Sequence, residues 1–148
     1  MEVLSPTLIA EELFAAAKDE NWDEVDERII PQLSKTDGNM LTNTVLQRVS
    51  DEDPNIRDAV ATALSEVVIT DDELLKRATE AMVVMTQVDK EKFPAGRAAV
   101  FLLQHQDDKK FGAGNKQTLE LFKHRVGVEG WIGELRKEIP ELQGFLGK

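Results

Sequence analysis

The sequence contains no cysteine, which excludes disulfides, thiolate metal sites and a cysteine nucleophile together. No run of about 18 apolar residues occurs, so no membrane-spanning helix is expected. The opening stretch MEVLSPTLIAEELF lacks the basic start and long apolar core of a signal peptide, and the expectation is a soluble, cytoplasmic protein. Histidine is limited to His105 and His124. His105 has Asp107 and Asp108 nearby, but nothing supplies a third ligand, so no metal site is assigned. No serine stands in the glycine-flanked elbow of a serine hydrolase. The segment FGAGNKQT at 111–118 has the flavour of a phosphate loop but not its spacing. Asn115 rather than glycine precedes Lys116, and no strand leads in. It reads as a flexible turn. No cofactor or catalytic residue is therefore assigned, and the chain is not expected to be an enzyme.

What remains is a chain of 148 residues, the size of one ordinary domain and large enough to bury a core without staples. The net charge is −10, unevenly spread. Residues 1–106 hold 10 Lys+Arg against 21 Asp+Glu, and residues 107–148 hold 8 against 7. An acidic front repels phosphates and anionic lipid headgroups. That argues against nucleic acid and membrane surfaces as partners. Acid pairs such as Glu11/Glu12 and Asp71/Asp72/Glu73 stand in first turns of helices, where they complement the helix dipole.

The apolar residues recur at helical spacing from one end to the other. Ser5-Pro6 starts a helix over 6–19. Asn21, with Glu24 three residues on, caps a second that Pro31 should kink. Asp37-Gly38-Asn39 reads as a turn before a third helix. A fourth follows the Asp51-Glu52-Asp53-Pro54 corner, and a fifth is capped by Thr70-Asp71-Asp72. A sixth opens at Phe93-Pro94 and is apolar almost all round, so it should be buried on more than one side. Residues 107–115 read as a loop, 116–126 as a seventh helix broken by Gly127, and 129–146 as an eighth split by Pro140. No period-two alternation appears. The expectation is a single all-α domain of about eight helices over 1–148, with short connections that favour antiparallel neighbours.

Pro54 and Arg57 return forty residues later as Pro94 and Arg97. A proline on the first turn of two alanine-rich helices suggests a repeated helix pair. Here a family resemblance becomes visible. DPNIRDAVATALSEV resembles the second helix of a HEAT-type repeat at Asp53, Pro54, Ile56, Arg57, Ala59, Ala61, Ala63 and Leu64. KFPAGRAAVFLL is a poorer copy, matching at Pro94, Arg97, Ala98, Ala99 and Leu103, with Gly96 where the pattern wants valine or isoleucine. The resemblance covers about residues 39–106. It implies antiparallel helix pairs stacked as a short HEAT-like α-solenoid over 1–106, with 116–148 as a C-terminal helical cap. It also implies a concave face that binds other macromolecules and an Arg57 that bridges neighbouring corners, with Asp53 and Asp89 as candidate partners.

The function this suggests is a non-catalytic protein–protein interaction or adaptor module. The alternative is a nucleic-acid-binding protein or an accessory subunit of a larger enzyme complex. The candidate partner-binding residues are Lys109, Lys110, Lys116, Lys123 and Arg125, with Trp131 as an aromatic that could line a groove. The partner expected is another protein, with a homodimer left open.

Overall fold

The computed structural model describes residues 5–147; the MEVL of the opening stretch lies outside them. The described chain is all helical, with no β-strand. Helix α1 is Pro6–Lys18. Helix α2 spans 22–33 as a turn of α-helix (Trp22–Glu24), a π-turn (Val25–Ile29) and a further α-turn (Ile30–Leu33). Then come α3 (Gly38–Leu46), α4 (Pro54–Glu66), α5 (Asp72–Val88), α6 (Lys92–Gln104), α7 (Gly112–Glu129) and α8 (Ile132–Glu138). A 3-10 turn (Pro140–Leu142) and α9 (Gln143–Leu146) close it. The chain forms two compact units, one ending at Ala78 and the other beginning at Thr79. No described helix is long and apolar enough to cross a membrane.

In the first unit α1 packs on α3 and α4. Leu13, Ala17, Ile29, Leu33, Leu41, Val45 and Ala59 are all withdrawn from solvent. The helix starts follow the capping chemistry of the sequence. Ser5 Oγ accepts from Leu8 N at 3.3 Å, Asn21 Oδ1 from Glu24 N at 3.3 Å, and Asp53 Oδ1 from Asn55 N at 2.9 Å. Pro31 acts upstream of itself. It has no N–H for the carbonyl four residues back and its ring crowds that carbonyl, and the preceding turn opens so that the Ile30 amide bonds Val25 O. Asp37-Gly38-Asn39 is not a free turn. Asp37 caps α3 by accepting from Met40 N at 3.1 Å, and Gly38 and Asn39 are its first helical residues.

Glu20, just past α1, has φ 57, a left-handed conformation that costs a non-glycine residue about 1 kcal/mol. It allows the Asn21 amide to reach Ala16 O at 2.9 Å. Glu20→Gly is expected to stabilise the chain by about 0.5–1 kcal/mol, read as a higher urea midpoint.

In the second unit α6 is the central element, in contact with α7, α8 and the 3-10 turn. Pro94, Ala95, Gly96, Ala98, Ala99, Val100, Phe101 and Leu102 are all buried, as its apolar character requires. Gly96 is explained by space. A Cβ there would lie 2.9 Å from both Ile139 Cδ1 and Leu135 Cδ2, so glycine lets the C-terminal helices close onto α6.

Helix α7 departs from the sequence expectation at both ends. It begins at Gly112, inside the expected loop, and runs through Gly127 to a glycine cap at Gly130, φ 74. Asp108 explains the early start. Its Oδ1 accepts from Lys110 N at 2.8 Å and Phe111 N at 3.0 Å, which satisfies amides ahead of the first turn. Gly112 itself is required because a Cβ would sit 2.3 Å from the Gln106 carbonyl oxygen.

The repeated Pro and Arg do not fall at equivalent places. Asp51 Oδ1 accepts from Asp53 N at 2.9 Å, and Asp89 Oδ1 accepts from Glu91 N at 2.9 Å. Each aspartate stands three residues before a helix, α4 and α6. Aligned on these two turns, Pro54 is the first residue of its helix and Pro94 the third. Arg57 Nη1 donates to the backbone carbonyls of Asp51 at 2.9 Å and Glu52 at 3.1 Å, the corner before its own helix. At the second corner the equivalent carbonyl, that of Asp89, accepts from Arg125 of α7.

Candidate functional site

The candidate residues of the sequence lie mostly on or beside α7, in the second unit, and they do not form one cluster. Lys109 and Lys110 are exposed in the turn that Asp108 caps. Lys116 is exposed and pairs with Asp107 at 3.6 Å, both side chains largely in solvent, where such a pair contributes little. Lys123 is exposed one heptad further along and lies 5.8 Å above the Phe145 ring. The pairs Lys116 and Lys123 therefore share a helix face, with Glu120 between them.

Arg125 is on another face and is half-buried. Its Nη1 donates to Thr86 O at 2.8 Å and its Nη2 donates to Asp89 O. Its guanidinium also lies 4.7 Å above the Trp131 ring. Trp131, itself half-buried, donates its backbone N–H to Val126 O at 3.0 Å. Arg125 and Trp131 thus make a fixed assembly that closes the C-terminal end of α5. Of the repeat positions, Asp53 is a cap, Pro94 is buried, and Arg57 and Arg97 are half-buried.

Sequence reasoning missed a concavity that Lys110 lines. Residues 79–84 of α5 and 110–118 at the head of α7 enclose an open cleft of about 510 Å³. Its lining is mainly apolar, with Val83, Val84 and Phe111 as the large side chains and Glu80 and Lys110 as the charged ones. Asn115 is buried in its wall and donates from Nδ2 to the His105 carbonyl at 3.3 Å. No sequence signal pointed to the cleft: Gly114, read as part of a flexible turn, is helical and lines it.

Among the described residues no group of three His, Asp or Glu side chains could hold a metal ion. No family model matches the chain, and neither a curated protein nor a solved structure does.

His105 is the titratable group with a resolved environment here. Its ring stacks against the buried Phe101, centroids 4.4 Å apart. Burial pushes the imidazole below its ordinary 6.5, and the Asp108 carboxylate opposes that only in part. A histidine with a depressed folded-state pKa binds its proton more readily when unfolded. Its contribution is complete above about pH 6.5 and declines as pH falls below it. The difference in urea midpoint between wild type and His105→Gln is expected to shrink between about pH 7.5 and 5.5. A pH-independent difference would mean that the ring is not desolvated.

Proposed function

We propose that this chain is a non-catalytic protein-binding module of the HEAT-like kind, built from stacked helix pairs and working in the cytoplasm. The observation that carries this reading is the direction of neighbouring helices inside each unit. In the first, Asn39 at the head of α3 accepts from Thr70 N at 3.0 Å and Asp71 N at 3.2 Å at the head of α5, and Asn43 accepts from Arg77 at 3.5 Å one turn on. In the second, the head of α7 lines the cleft with residues 79–84, and Gln87 reaches Thr118 O at 3.5 Å. Further on, Arg125 bonds Thr86 and Asp89. In both units the first helices of successive pairs run side by side in the same direction, with an antiparallel partner between them in sequence. A packed array of this kind repeats through nearest-neighbour contacts, and such arrays offer surfaces rather than reaction centres.

The charge pattern favours a protein over nucleic acid. Residues 1–78 carry 7 Lys+Arg against 18 Asp+Glu, and residues 79–148 carry 11 against 10. Arg125 is engaged with backbone carbonyls, and Lys116 with Asp107. The test is affinity capture from native lysate in nuclease-treated and untreated arms. The variant Lys109→Glu/Lys110→Glu/Lys116→Glu/Lys123→Glu is run beside wild type. A defined protein retained after nuclease and released by the variant supports the module. Nucleic acid lost on treatment replaces it, and capture of neither removes it.

A further inference from the structure

The cleft between α5 and the head of α7 is more than an apolar groove. Asn115, in its wall, is only 1 % exposed. Its Nδ2 donates to the His105 carbonyl at 3.3 Å. A carbonyl only accepts, so this bond fixes which way the amide is turned and leaves Oδ1 as its other end. No described residue donates to that Oδ1. Thr79, in the same wall, is 6 % exposed, and its Oγ1 has no hydrogen-bond partner among the described residues. Helical hydroxyls elsewhere in the chain return to a carbonyl four residues back, Thr44 to Met40 and Ser65 to Ala61, whereas Thr79 makes no such bond. Two nearly buried polar side chains in one wall thus keep hydrogen-bonding capacity that the fold leaves unused, and a ligand group is what completes such a set.

We propose that this cleft binds a small organic ammonium compound with an apolar body. Its volume of about 510 Å³ lies within the range of small-molecule sites. Val83, Val84 and Phe111 supply the apolar surface, and an aromatic ring also attracts cations. The choice of a cation follows from the unused groups. The Asn115 oxygen can only accept, and Glu80 is an exposed carboxylate of the lining with no ion pair among the described residues. Lys110, the cation of the lining, is not free, so it does not call for an anion. A primary ammonium brings donors and no acceptor, which matches that set. This inference does not rest on the module reading.

The experiment titrates phenethylamine into the full chain, isotope-labelled, and follows its amide signals by NMR near neutral pH. Phenethyl alcohol and hydrocinnamate serve as probes of similar shape that carry a hydroxyl and a carboxylate instead. Phenethylamine is expected to shift signals at 79–84 and 110–118 with a Kd of about 1 mM. The alcohol is expected to bind about tenfold more weakly, and the carboxylate more weakly still. Glu80→Gln should weaken the amine about threefold, as an exposed ion pair allows. Gly114→Leu fills the cleft at a position where a Cβ meets nothing within 4 Å, so with helix content unchanged it should abolish the shifts. An amine that causes no shift up to about 20 mM overturns the proposal. So does one that binds no tighter than the alcohol or the carboxylate, or equally well to Glu80→Gln or Gly114→Leu.

Discussion

Gly38→Ala is expected to destabilise the chain by about 3 kcal/mol, although alanine is the better helix former by nearly 1 kcal/mol. The reason is a backbone. An ideal Cβ on Gly38 would lie 2.0 Å from the Val68 carbonyl oxygen and 2.9 Å from its carbon. A peptide group cannot rotate out of the way as a side chain can, so the 67–71 corner would have to withdraw from the head of α3. That corner is tied there by Asn39, which accepts from Thr70 N and Asp71 N and donates to Thr70 Oγ1 at 2.9 Å. Each such bond contributes about 1 kcal/mol. Gly127→Ala is the matched control. It is also helical, but a Cβ there meets nothing within 4 Å, and it is expected to stabilise by up to about 1 kcal/mol. Urea denaturation of the two variants should move the midpoint in opposite directions. A neutral Gly38→Ala would mean that α3 and the 67–71 corner are not in contact.

Arg125→Ala is expected to cost about 2–4 kcal/mol. The side chain holds two carbonyls at the end of α5 and stacks on Trp131, and alanine removes all three contacts while leaving the carbonyls half-buried. Lysine can reach one carbonyl as a point charge but cannot span both, so Arg125→Lys should recover less than half of the loss. Trp131 emission reports the same event locally, because the ring loses its cationic cover. Unchanged stability in Arg125→Ala would show that this arginine is spare and free to serve a partner, as the sequence alone suggested.

The parts of the fold that depend on local chemistry were legible. Ser5 and Asn21 cap where their spacing to the following amides says they should, and Pro140 divides the last helical segment as a missing N–H requires. What could not be read depends on chain segments distant in sequence. Gly38 looks like a turn residue, but it is a helical residue kept small by the carbonyl of Val68 in a later corner. Helix α7 has glycines at 112, 114 and 127, which weaken its two ends. Packing of Leu119, Phe122 and Val126 overrides that. The candidate site suffered likewise. Charge alone grouped Arg125 with the lysines, whereas its partners, Thr86 and Asp89, are more than thirty residues away in sequence.

At each of the corners that precede α4 and α6 an arginine donates to a peptide oxygen. A peptide oxygen does not take up a proton in mild acid, so these arginine–carbonyl bonds are not themselves acid-labile. The Asp51 carboxyl beside the first corner is held below its ordinary 3.8 by the Asp53 amide and then by Arg48, so it keeps its charge to lower pH than an ordinary carboxylate. The carboxylate that meets Lys116 in open solvent is exposed to both salt and acid. Acidification should therefore release the Lys116–Asp107 contact before it protonates the Asp51 carboxylate at the first corner, which separates the lifetime of that corner from that of the surface charges.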